Sequence, residues 1–109
     1  MDAPSSKYIK LMGYKRFHYL HWGRSSAYKI ILLHGIGESA DIWFQFAPLL
    51  AKKFEVIALD LRGHGGTPWD INGNYSLDSY VDDTQLIISS WNDPFIMIGH
   101  GIGAKIATK

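Results

Sequence analysis

The chain has 109 residues, of which 47% are apolar, 14% aromatic and 19% charged; that is enough for one domain with a real core and too few for two. Eleven basic and ten acidic residues leave a formal charge of +1, and their scatter leaves no basic stripe that points to nucleic acid or to an anionic membrane. The absence of cysteine removes disulfides, thiolate chemistry and cysteine-based zinc sites together.

In chain order, Met1-Asp2-Ala3-Pro4-Ser5-Ser6-Lys7 lacks the apolar stretch of a secretory signal. No later run approaches the roughly 18 apolar residues of a membrane span, so the default expectation is a cytoplasmic protein. Tyr8 to Met12 and Phe17 to Trp22 read as two strands joined around Gly13, with mixed polarity suited to a sheet margin. Lys29-Ile30-Ile31-Leu32-Leu33 is a continuous apolar run, as expected of a strand buried on both faces. Asp41 to Lys52 carries Ile42, Trp43, Phe46, Leu49 and Leu50 on one side, with Pro48 inside the pattern. Proline is tolerated in a first helical turn and disruptive in an interior, which predicts a looser turn first and a regular helix from about Ala47.

Phe54 to Leu59 reads as a second buried strand, ending at Asp60. Ser76 is a predicted N-cap with Asp78 in the first turn, and Leu77, Tyr80, Val81, Thr84, Ile87, Ile88 and Trp91 follow at helical spacing. Phe95 to Ile98 is a third strand, running into Gly99-His100-Gly101-Ile102-Gly103-Ala104. Short apolar runs alternating with helical patterns predict an α/β fold: a mainly parallel sheet with flanking helices. Residues 1–28 supply the leading strands, and 29–109 the motif-bearing β/α units of a single domain.

Three loops follow the carboxyl ends of the three predicted parallel strands, the edge at which open α/β sheets bind ligands. They are His34-Gly35-Ile36-Gly37-Glu38-Ser39, Asp60-Leu61-Arg62-Gly63-His64-Gly65-Gly66 and Gly99 to Ala104. Together they resemble the His-Gly-x-x, Asp-x-x-Gly-x-Gly and Gly-x-Ser-x-Gly signatures of the α/β-hydrolase superfamily, in the same order. The third is that family's nucleophile elbow, which lifts the attacking residue above the sheet on a strained turn. Gly99, His100 and Gly103 fit it, but Gly101 stands at the nucleophile position.

The resemblance implies motif roles for His34, Gly35, Asp60, Arg62, Gly63, His64, Gly65, Gly99, His100 and Gly103. It also implies an oxyanion hole made by the backbone N–H groups of Ile102 and Ile36. It implies neither a cofactor nor a metal. The family's acid and histidine follow the nucleophile in chain order, so both are expected beyond Lys109, in a chain truncated after the elbow. Because Gly101 has no side chain to attack with, the resemblance implies an esterase- or lipase-like serine hydrolase that is catalytically inactive as written. A small apolar or ester-like molecule is the implied ligand.

Two other readings compete. One is a non-catalytic module on the same fold that binds a small ligand or a protein. The other is a dinucleotide-binding unit, because Gly99-x-Gly101-x-x-Ala104 satisfies that fingerprint; against it, the motif normally follows the first strand of its domain and needs an acidic residue about 20 positions later. Ser39 reads as a helix cap ahead of Asp41, His34 and His64 as loop hydrogen-bonding residues, and His100 as a residue packed beside the elbow. No histidine pair has the short helical spacing of metal ligands. Trp22, Trp43, Trp69 and Trp91 read as core or edge packing, with Trp69 the first of the four expected to face a pocket. An uncovered Phe95 to Ile98 edge predicts self-association.

Overall fold

The structure, a computed structural model, describes residues 3–11, 15–24, 28–70, 73–91 and 93–108. Two antiparallel strands, β1 (Ser5–Leu11) and β2 (Lys15–Trp22), lead the chain; the predicted joint at Gly13 lies outside the described residues. They are followed by β3 (Lys29–Leu33), a 3₁₀ turn (Ala40–Trp43), α1 (Ala47–Leu50) and β4 (Glu55–Leu59). The chain then forms α2 (Leu77–Trp91), β5 (Phe95–Gly99) and α3 (Ile102–Ala107).

One five-stranded sheet results, in the order β1-β2-β4-β3-β5. β3 pairs in parallel with β4 on one side and with β5 on the other, and β2 joins β4 antiparallel. Every residue of β3 and β4 is buried, and period-two alternation divides them between two cores. Ile31, Leu33, Ile57 and Leu59 meet Tyr80 and Ile87 of α2 and Ile106 of α3. Ile30, Leu32, Val56 and Ala58 meet Ala40, Ala47 and Trp22. The result is three layers, with helices on both faces of the sheet, as a buried parallel sheet requires.

Local chemistry explains the helix boundaries. Ser39 caps the 3₁₀ turn by accepting from the Asp41 N–H at 3.3 Å, and Pro48 falls in the first turn of α1, where its missing N–H costs nothing. Ser76 caps α2 by accepting the Ser79 N–H at 3.2 Å. The chain leaves β3 for β4 on one side and returns to β5 on the other. That reversal opens a crevice at the carboxyl ends of β3 and β5, the position at which such sheets bind ligands.

Candidate active site

Beyond Leu33 the first loop turns tightly, and Glu38 closes the turn. Its N–H donates to the Gly35 carbonyl at 3.1 Å, and its Oε1 accepts the Gly35 N–H at 2.6 Å. The same oxygen lies 3.1 Å from His100 Nδ1 on the third loop. The Gly35 amide, and after it His100, hold the Glu38 carboxyl below the usual carboxylate range.

The first and second loops are joined through two histidines. His34 is fully buried: its Nδ1–H donates to the Gly35 carbonyl at 2.7 Å, and its Nε2 accepts the Leu61 N–H at 3.0 Å. Burial depresses its pKa, which suits a ring that must keep one nitrogen as an acceptor. His64 is used in the same way, with Nε2 accepting from Gly37 N–H at 3.0 Å and Nδ1–H donating to the Arg62 carbonyl at 2.9 Å. The two rings lie 4.9 Å apart. Both histidines are therefore loop hydrogen-bonding residues, as expected.

Arg62 points away from the crevice. Its guanidinium grips Asp83 of α2 at 2.9 and 2.7 Å and donates to the Asn74 carbonyl at 2.9 Å. This bidentate hydrogen bonding to Asp83 raises its pKa further. Asp60 is likewise engaged: Oδ1 accepts the Ala40 N–H at 2.7 Å, and Oδ2 lies 2.9 Å from Gly66 N and 2.6 Å from His18 Nδ1.

The third loop is an elbow whose central residue has positive φ. Gly101 has φ 61° and ψ −125° and immediately precedes α3. That region is strained for any residue with a side chain. A Cβ built at Gly101 would lie 3.4 Å from the Gly35 Cα, an ordinary contact, so the constraint is conformational and not spatial. Gly99 and Gly103 are different: a Cβ on Gly99 would overlap the Gly103 carbonyl, and one on Gly103 would overlap the Leu33 carbonyl. Their small size lets α3 sit directly against β5 and β3. His100 N–H donates to the Leu33 carbonyl at 3.0 Å, which ties the elbow to the first loop.

Two expectations are corrected. The His100 side chain is 64% exposed and not packed beside the elbow, because its ring reaches outward to Glu38. Trp69 is 83% exposed and stands in solvent instead of facing a pocket; it sits on the loop that leads from Thr67 to Asp70, away from either core. The Glu38–His100 pair escaped the sequence reading because its members are 62 residues apart.

Among the described residues, the N–H groups of Ile36 and Ile102 have no partner within the protein. They flank the crevice from the loops after β3 and β5, where Gly35 and Gly101 are neighbours. Two such donors can stabilise an oxygen that gains negative charge. Nothing at position 101 can attack the carbon that bears it.

Comparison with known proteins agrees with this geometry. A family profile described as the alpha/beta hydrolase fold matches residues 28–109. The chain is 30% identical over 104 residues to an (E)-2-((N-methylformamido)methylene)succinate hydrolase of Acinetobacter baylyi, covering 94% of this chain and 38% of that protein. It is 36% identical over 94 residues to human epoxide hydrolase 4, covering 84% and 26%. A crystal structure of a haloalkane dehalogenase loop variant from Bradyrhizobium elkanii superposes with a TM-score of 0.87 at 27% identity, covering 96% of this chain and 35% of that one. The chain thus spans between about a quarter and two fifths of the length of these relatives. With the three loops gathered at one edge of the sheet and the profile matched across all three, the chain belongs to the alpha/beta hydrolase fold family.

Proposed function

We propose that this chain is a hydrolase-fold protein whose elbow does not catalyse by the covalent route. Gly101 carries this reading, because the turn keeps the geometry of a nucleophile elbow while the attacking side chain is missing. In a measured serine protease, loss of the nucleophile alone lowers kcat by about 10⁶-fold.

The unpartnered Ile36 and Ile102 amides favour a second reading, in which the crevice still binds the carbonyl oxygen of a small ester-like ligand. One relative is named as a hydrolase of a succinate derivative and another as an epoxide hydrolase, which supports trying small molecules of these classes beside an ester. Titration with ethyl butyrate followed by amide NMR is the test, with the Ile36 and Ile102 signals expected to move together. A spectrum in which neither moves removes the binding reading. Turnover of an activated ester that disappears in His100→Ala or Ser39→Ala removes the silent-elbow reading.

Self-association through β5 belongs to the same proposal. β5 is the outer strand on its side of the sheet among the described residues, and Phe95 and Ile96 are 37% and 47% exposed. An apolar hollow of about 250 Å³, lined by residues that include Phe95, Met97, Val81 and Ile106, runs beside it. Concentration-dependent oligomers are expected in sedimentation; a monodisperse monomer at every concentration refutes them.

A further inference from the structure

A second constellation lies on the opposite margin of the sheet. Ser6 Oγ is 2.6 Å from His18 Nε2, and His18 Nδ1 is 2.6 Å from Asp60 Oδ2. The carboxylate can only accept, so Nδ1 carries the ring proton and Nε2 is left to accept from the Ser6 hydroxyl. A hydroxyl held by a base that is itself oriented by a buried acid is the signature of an activated nucleophile. We propose that Ser6, His18 and Asp60 form a second nucleophilic site, independent of the elbow, that takes the acyl group of small activated esters.

The surrounding structure fixes the base. Asp60 is 3% exposed, and its two further N–H donors, Ala40 and Gly66, keep the carboxylate from rotating. A Cβ on Gly66 would lie 2.8 Å from His18 Cγ, so the loop lies directly on the imidazole. The Tyr8 ring covers the imidazole with centroids 5.0 Å apart. Ser6, in contrast, is exposed and open to a reagent from solvent.

Sheet geometry also supplies an oxyanion donor. Asp60 N–H donates to the His18 carbonyl at 2.9 Å, and His18 N–H donates to Thr67 Oγ1 at 2.9 Å. Both main-chain groups of His18 therefore face β4 and its loop. The opposed pairs Tyr8–His18 and, two residues on, Ser6–Leu20 are thus non-hydrogen-bonded pairs of the β1–β2 ladder. Ser6 and His18 are diagonal neighbours on one face of that ladder, a separation that an imidazole ring can span. The Ser6 N–H accordingly turns away from β2 toward the open margin, where it can meet the oxygen of an acyl group on its own Oγ. Serine proteases use the nucleophile's own amide in this way.

In the reaction, Ser6 Oγ forms a bond to the acyl carbon and its proton passes to His18 Nε2. The ester C–O bond breaks, and the departing oxygen takes that proton. Water then attacks the acyl-Ser6 ester, gives its proton to Nε2, and Ser6 recovers it as the acid leaves.

The test treats the full chain with p-nitrophenyl acetate and, separately, with a fluorophosphonate, and locates the modification by peptide mass mapping. Modification of Ser6 is expected, lost in Ser6→Ala and kept in Ser5→Ala, with His18→Gln slowing it about 100-fold or more. Because Ser6 is exposed, Ser6→Ala retains the melting temperature, which keeps the test valid if His18→Gln fails to fold. Labelling of Ser6 no faster than in urea-denatured chain, or equal labelling of Ser5, overturns the proposal. Turnover that survives in Ser6→Ala counts instead against the silent elbow.

Discussion

At Gly101 the backbone geometry of the elbow is present without a side chain to strain it. Alanine there keeps the contact distance to Gly35 ordinary but has to occupy φ 61°, which costs on the order of 1–3 kcal/mol. Urea denaturation of Gly101→Ala is expected to show that loss, and an unchanged or higher stability refutes the strain argument. His34 gives a pH dependence with a defined sign. Its folded-state pKa lies below the unfolded value of about 6.5 because burial disfavours the charged ring. The unfolded chain therefore binds the extra proton first, so this contribution is complete above about pH 6.5 and is lost as pH falls toward the folded value. His64, Asp60 and Glu38 are the other titratable neighbours that act on this ring. Melting temperatures are expected to drop as pH falls below about 6.5, with the His34 ring signals still those of a neutral imidazole at the start of that fall. An NMR titration in which His34 protonates at its ordinary pH contradicts this.

Among the elements, those with a local signature were legible. β3, β4 and β5 were readable from their apolar runs and α2 from its stripe, and Pro48 located the start of α1 because a proline ring dictates where a helix can begin. The Gly99 and Gly103 pattern was legible for a similarly local reason: close strand-to-helix approach admits no Cβ. What joins α2 to the second loop left no such trace, since Arg62 and Asp83 are 21 residues apart. Asp83→Ala leaves a buried guanidinium with only the Asp70 carboxylate, 3.7 Å away, as a counter-charge, and loss of one partner of a buried pair typically costs up to about 3–5 kcal/mol. Chemical denaturation is expected to show that loss, with Arg62→Met/Asp83→Leu recovering most of it. A single replacement within about 0.5 kcal/mol of the parent means the pair does not anchor the loop.

On the scale of the whole molecule, the sequence placed the three loops on one edge, yet it did not show which side chains meet there. The partnerships of His100 with Glu38, and of Ser6 with His18 and Asp60, are set by sheet register and loop closure over 12 to 62 residues. Side-chain periodicity carries no record of such distances. Trp69 was misread for the same reason: its size predicts burial, and only the course of its loop puts it in solvent. Asp60 shows what long-range closure does to the whole. One carboxylate collects donors from β2, from the turn after the first loop and from the second loop. None of these segments can open alone without leaving that buried anion short of a donor, an expensive state. The Ala40 and Gly66 amides are therefore expected to exchange with deuterium at one common rate, set by global unfolding. Faster exchange at either would divide the molecule at that carboxylate into separately opening parts.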